Sequence, residues 1–135
     1  MIVLDSSALV GIVRAERGAD QFLDVLAAEE CLIGTPTLVE VRAWCTINLA
    51  TRPSRWLEGF IDSESTVVVP FGREMADVAS GAFAKFGKGS GHPAKLNFGD
   101  CMAYAVAVVM RAPLLFKGSD FGLTDVTVHP ASIQL

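Results

Sequence analysis

Four carboxylates fall where chain geometry can bring acids together. Asp5 follows the apolar run Ile2 to Leu4, and Glu40 lies early in the segment after Cys31 to Gly34. Asp100 opens an apolar helical stretch, and Asp120 comes a short turn after Leu114 to Phe116. In an open parallel sheet ligands collect beyond the carboxyl ends of the strands, so acids placed after strands share one edge. Each has an ordinary reading when taken alone. Asp5 can cap a helix, Asp120 can close an Asx-turn in KGSD, and Glu40 and Asp100 gain from the N-terminal end of a helix dipole. The set is more informative, because four crowded carboxylates repel one another unless a divalent cation neutralises them. Hard oxygen donors select Mg²⁺ or Mn²⁺. Such an ion can activate water, stabilise charge on a phosphoryl oxygen and assist a leaving group. Asp125 is a candidate outer ligand, more readily read as a solvent-facing loop acid. Ser7 and Asn97 could bond a carboxylate or a bound water, and both are equally readable as helix caps.

Other chemistries find less support. His92 and His129 are too far apart in sequence to suggest a zinc site or a histidine-based mechanism, and no GxSxG, Walker loop or GxGxxG occurs. Cys31, Cys45 and Cys101 form no CxxC pair and suit buried thiols in a reducing compartment. The net charge of −4 is awkward for an enzyme that binds phosphate. Two features offset it. A cation held by the acids would reverse the local field, and the segment from Lys85 to Lys95 carries three lysines and no acid.

The elements needed to position the acids are legible. Short β-branched runs alternate with longer helical patterns, which predicts an α/β fold with a parallel central sheet flanked by helices. Strands are expected at Ile2 to Leu4, Cys31 to Gly34, Thr66 to Val69 and Leu114 to Phe116, with a further one at Val126 to Val128. Helices are expected from Ala8 to about Arg14, from Ala19 to Ala28, and from Thr35-Pro36-Thr37 onward with Leu38, Val41, Trp44, Cys45 and Leu49 inward. Others start at Pro53 and run over Arg73 to Phe86, with Met75, Val78, Ala79 and Phe83 inward, and over Phe98 to Met110 after an Asn97 cap. Gly87 to Lys95, GKGSGHPAK, reads as the one flexible basic loop. With 135 residues, 51% of them hydrophobic, a single domain spanning 1–135 is expected. The most apolar stretch is too short to span a membrane, and the MIVLDSS start has no basic leader, so a cytoplasmic protein is expected.

LDSSALV at the start, TLVEV around Glu40, FGKGSGHPAKLNFGDCMAYA around Asp100 and LLFKGSDF around Asp120 resemble the motifs of PIN-domain nucleases, specifically VapC-type toxins of toxin–antitoxin pairs. The motifs fall in family order and the resemblance covers essentially the whole chain. It implies a metal-dependent endoribonuclease acting on structured RNA such as tRNA or rRNA. Asp5, Glu40, Asp100 and Asp120 would form the acidic site and Ser7 a supporting polar group. It also implies homodimerisation and inhibition by a VapB-type antitoxin whose tail lies over the acidic cleft. Ser119 departs from the pattern, standing where the family frequently has Asn or Asp. Arg14, Arg42, Lys85, Lys88, Lys95 and His92 are candidates for an RNA-facing rim, and Lys117 for a phosphate contact. The competing readings are a haloacid-dehalogenase-like phosphatase, which usually needs a second Asp where Ser7 stands, and a non-enzymatic partner-binding module.

Overall fold

A computed structural model describes residues 1–50 and 54–135. Four parallel strands, β1 (Ile2–Leu4), β2 (Cys31–Gly34), β3 (Thr66–Val69) and β4 (Leu114–Leu115), form the central sheet in the order β3-β2-β1-β4. The chain moves outward from β1 to β3, then returns to add β4 on the other side of β1. Strand order therefore reverses between β1 and β4, which is where open α/β sheets form a crevice beyond their carboxyl ends.

Among the described residues the flanking helices are α1 (Ser6–Val13), α2 (Ala19–Ala28), α3 (Thr35–Asn48), α4 (Arg55–Ile61), α5 (Arg73–Phe86) and α6 (Phe98–Met110). They cover both sheet faces, so the strands are apolar throughout rather than alternating with polar residues. The two-residue period of a strand sends Ile2 and Leu4 into one core with Phe22, Leu26, Val41 and Leu57, and Val3 into the other with Met75, Phe86, Val106 and Phe116. Pro36 sits in the first turn of α3, where its missing amide costs nothing. Gly34, just before it, has no room for a side chain: a Cβ would stand 2.7 Å from Val106 Cγ2 of α6.

Four expectations are corrected. The first helix begins at Ser6 rather than Ala8, because Asp5 itself is the cap. Val126 to Val128 contributes only a single bridge, Leu114 to Val128; the C-terminal strand is β6 (Ile133–Gln134), paired in parallel with β5 (Lys117–Gly118). Phe83 is 45% exposed, since the buried stripe of α5 runs through Met75, Ala79, Ala82 and Phe86. The segment from Gly87 to Lys95 is pinned rather than loose, as described below. Pro53 lies outside the described residues, and α4 starts after a Ser54 cap whose hydroxyl accepts from Leu57 N. All three cysteines are free and buried, and burial pushes the thiols of Cys31 and Cys101 up to about 11, so both stay protonated near neutrality.

Candidate active site

Asp5 leaves the end of β1 and turns directly into α1, so one side chain both caps a helix and stands at the sheet edge. It is 3% exposed. Its Oδ2 accepts from Ser7 N at 3.0 Å and Ser7 Oγ at 2.6 Å. Ser7 Oγ in turn accepts from Lys117 N at 3.0 Å, which commits the hydroxyl proton to Asp5 and ties the start of α1 to β5. Oδ1 is buried and has no hydrogen-bond partner. Burial first, and then the charges of Asp100 and Glu40, raise the Asp5 carboxyl to about 7 despite the two Ser7 bonds that favour its ionised form.

Asp100 stands at the third position of α6 in a capping box. Asn97 Oδ1 accepts from Asp100 N at 2.8 Å, and Asp100 Oδ2 accepts from Asn97 N at 2.9 Å. Asn97 therefore both caps the helix and aims the acid. Burial raises the Asp100 carboxyl to about 6, with Asp120 and Glu40 adding to the rise and Lys88 opposing it. Glu40 reaches over from α3 to lie against Gly99: a Cβ on Gly99 would collide with the Glu40 carboxylate. Asp120 sits at the end of the β5 turn, its Oδ1 accepting from Ser119 Oγ at 3.3 Å. Ser119 thus makes a local contact to the acid it precedes.

The four acids are consequently one electrostatic unit, since Asp5 feels Asp100 and Glu40, and Asp100 feels Glu40 and Asp120. The donor chemistry fits a hard cation, with an orphaned carboxylate oxygen at its base and only oxygen ligands around it. Among the described residues, no group of three His, Cys, Asp or Glu side chains stands close enough together to hold a metal ion.

The remaining candidates separate. Asp125 is engaged elsewhere, its Oδ1 accepting from Tyr104 OH at 2.6 Å, so the expected outer-ligand role is corrected to a structural bond between α6 and the C-terminal segment. Lys117 is not a free phosphate contact: its Nζ donates to Glu16 Oε2 at 3.0 Å and to Arg17 O at 3.2 Å. Arg42 Nη2 pairs with Glu58 at 2.6 Å, and the Arg14 guanidinium lies over Trp44. His92 packs edge-on against Phe86, and its Nδ1 accepts from Ala94 N. Sequence reasoning missed Gly99 and the Glu16–Lys117 tie. A glycine in the first turn of a helix, one residue before a candidate acid, was the available signal for the first. The second joins residues about a hundred positions apart and left no local signal.

The PIN domain family model matches residues 2–126. Ribonuclease VapC28 of Mycobacterium tuberculosis is 42% identical over 130 residues, which cover 93% of this chain and 95% of that protein. Among solved structures, a toxin–antitoxin complex from Klebsiella pneumoniae matches with a TM-score of 0.71 at 18% identity, over 98% of this chain and all of that one. FitAcB from Neisseria gonorrhoeae matches with a TM-score of 0.69 at 18% identity, over 97% of this chain and 98% of that one. These two likenesses concern the fold.

Proposed function

The chain belongs to the PIN-domain family, and from that premise we propose that it is a Mg²⁺- or Mn²⁺-dependent endoribonuclease, the toxin of a type II toxin–antitoxin pair, acting on structured RNA such as tRNA or rRNA. The observation that carries the reading is the unpartnered Oδ1 of buried Asp5, an acid whose carboxyl, like that of Asp100, is pushed up by burial and by the neighbouring carboxylates. A fold that served only to cap helices would have no reason to hold an acid oxygen without a partner, at a cost of about 1 to 3 kcal/mol.

Asp5, Glu40, Asp100 and Asp120 are the residues that would hold the ion. When bound, the cation supplies Lewis acidity to the scissile phosphate and makes water a competent nucleophile at neutral pH. Ser7 fixes the rotamer of Asp5 by occupying Oδ2, which leaves Oδ1 for the ion. Asn97 fixes Asp100 in the same manner. Gly99 leaves the space in which the Glu40 carboxylate lies.

The proposed partners are an RNA substrate, a second copy of the chain, and a VapB-type antitoxin whose tail would place a basic side chain over the acids. The proposed unit is a single nuclease domain over residues 1–135 in the cytoplasm. Among the described residues no helix is long and apolar enough to cross a membrane. The family match disfavours both a haloacid-dehalogenase-like phosphatase and a non-enzymatic module.

Cleavage of bulk tRNA and rRNA with added Mg²⁺ or Mn²⁺ tests the reading, comparing the wild type with Asp5→Ala and Asp100→Ala. Cleavage by the wild type alone is expected. Equal cleavage by all three proteins would overturn the site, and cleavage persisting in excess EDTA would overturn the metal requirement.

A further inference from the structure

The loop from residue 87 to 96, which carries Lys88 and Lys95, is pinned at its base and in its middle. Leu96 N donates to Phe86 O at 2.9 Å and Lys88 N donates to Leu96 O at 3.0 Å, closing the loop at its base. Ser90 Oγ donates to Gly87 O at 2.7 Å and accepts from His92 N at 3.2 Å, so it fastens the middle. Ala94 and Leu96 are fully buried, and the His92 ring stands edge-on to Phe86 at 4.9 Å. Gly89 and Gly91 take the left-handed backbone, with φ of +89° and +86°, that allows so tight a path.

This scaffold places Lys88 next to the α6 N-terminus. Its backbone N donates to Leu96 O, and the next residue, Asn97, caps α6 and bonds the Asp100 carboxylate, so the Lys88 backbone lies one residue from the helix end that carries the acid. Lys117 is engaged with Glu16, Arg42 with Glu58, Arg73 with Asp77, and Lys85 over the Phe86 ring, whereas Lys95, at the far end of the same loop, is exposed like Lys88. Lys88 is exposed and enters no ion pair among the described residues. With the backbone pinned, only the side-chain rotamers of Lys88 remain to be ordered when it meets an anion.

We propose that Lys88, presented by the pinned 87–96 loop, binds a backbone phosphate of the RNA substrate at the rim of the acid site and so positions the scissile bond. This rests on the ribonuclease reading above. The phosphate would lie between the Lys88 ammonium and the acid cluster, and the contact would be blind to base identity.

The test compares wild type, Lys88→Met, Lys88→Arg and Arg111→Gln on bulk tRNA and rRNA in Mg²⁺, measuring apparent KM, kcat, the Mg²⁺ concentration for half activity, and the salt dependence of kcat/KM. Arg111 lies at the other end of α6 and controls for net charge. Lys88→Met is expected to lower kcat/KM roughly tenfold, mostly through KM, and to flatten the salt dependence by roughly one phosphate contact. Lys88→Arg should recover most of the loss, and Arg111→Gln should match the wild type. Wild-type kinetics in Lys88→Met would overturn the proposal and leave the ribonuclease reading standing. A change confined to the Mg²⁺ requirement would also overturn it, by reducing Lys88 to a local counter-charge. No metal-dependent cleavage by the wild type would instead remove the reading and the proposal together.

Discussion

Asp5 and Asp100 hold protons that the unfolded chain releases near the ordinary carboxylate value of 3.8, since the fold raises them to about 7 and about 6. The folded state therefore binds more protons than the unfolded state between pH 4 and 7. The favourable contribution is fully present at the acid end and lost as pH rises through the folded values. The metal-free protein should melt several degrees lower at pH 8 than at pH 5, and Mg²⁺ should recover more of the melting temperature at pH 8 than at pH 5. Asp5→Asn removes the larger of the two titrations and should flatten the trend, which thermal melts across that range would read; an unchanged slope in the variant would assign the pH dependence to other groups. Gly99 offers a separate test. In a helix Gly→Ala ordinarily stabilises by roughly 0.5 to 1 kcal/mol, yet here the new methyl group would displace the Glu40 carboxylate. Gly99→Ala is expected to melt no lower than wild type while losing at least about tenfold in kcat/KM, the equivalent of about 1.4 kcal/mol of transition-state stabilisation. Full activity in a well-folded Gly99→Ala would take Glu40 out of the site.

At the scale of elements, α6 binds the chemistry to the fold because its capping box serves two purposes. Asn97→Ala removes the side-chain acceptor for Asp100 N and should cost about 1 kcal/mol of stability. Freed from its box, Asp100 should also demand more Mg²⁺ for half-maximal cleavage. Asn97→Asp, which keeps an acceptor at the cap, should restore the melting temperature but not the metal affinity, because it adds a fifth carboxylate beside the others. Elements of this kind were readable in the sequence. Asn97 before an apolar run, Pro36 in a first turn and β-branched strands bounded by Gly and acids carry their own signals. The C-terminal ribbon was not readable, since β5 and β6 have two residues each and no periodicity can be expressed over that length. Phe83 was misplaced because a fourteen-residue helix with apolar groups on more than one side fits two adjacent stripes, and only packing against α6 selects Met75, Ala79, Ala82 and Phe86.

The whole molecule draws acids from positions 5, 40, 100 and 120 to one edge because β1 is central and every strand runs the same way. For Asp5 and Asp120 that gathering followed from strand ends, whereas for Glu40 and Asp100 it rested on early-helix positions and on the motif resemblance. What did not follow were long-range bonds such as Lys117 to Glu16, and the apolar surface left over after folding. Phe98 is 75% exposed and Phe83 45% exposed, and together they border a groove of about 360 Å³ lined also by Phe71, Cys101 and Met102. Two exposed phenylalanines around one apolar groove are the mark of a surface meant to be covered, and they adjoin the helix end that carries Asp100. A second copy of the chain, the partner proposed above, would bury both rings if it paired there. The wild type should therefore sediment as a dimer. Phe98→Asp should sediment as a monomer with an unchanged circular dichroism spectrum, because the substituted ring supports little of the monomer's own core. A dimer that survives Phe98→Asp together with Phe83→Asp would move the interface elsewhere, and a wild-type monomer at high protein concentration would overturn the pairing.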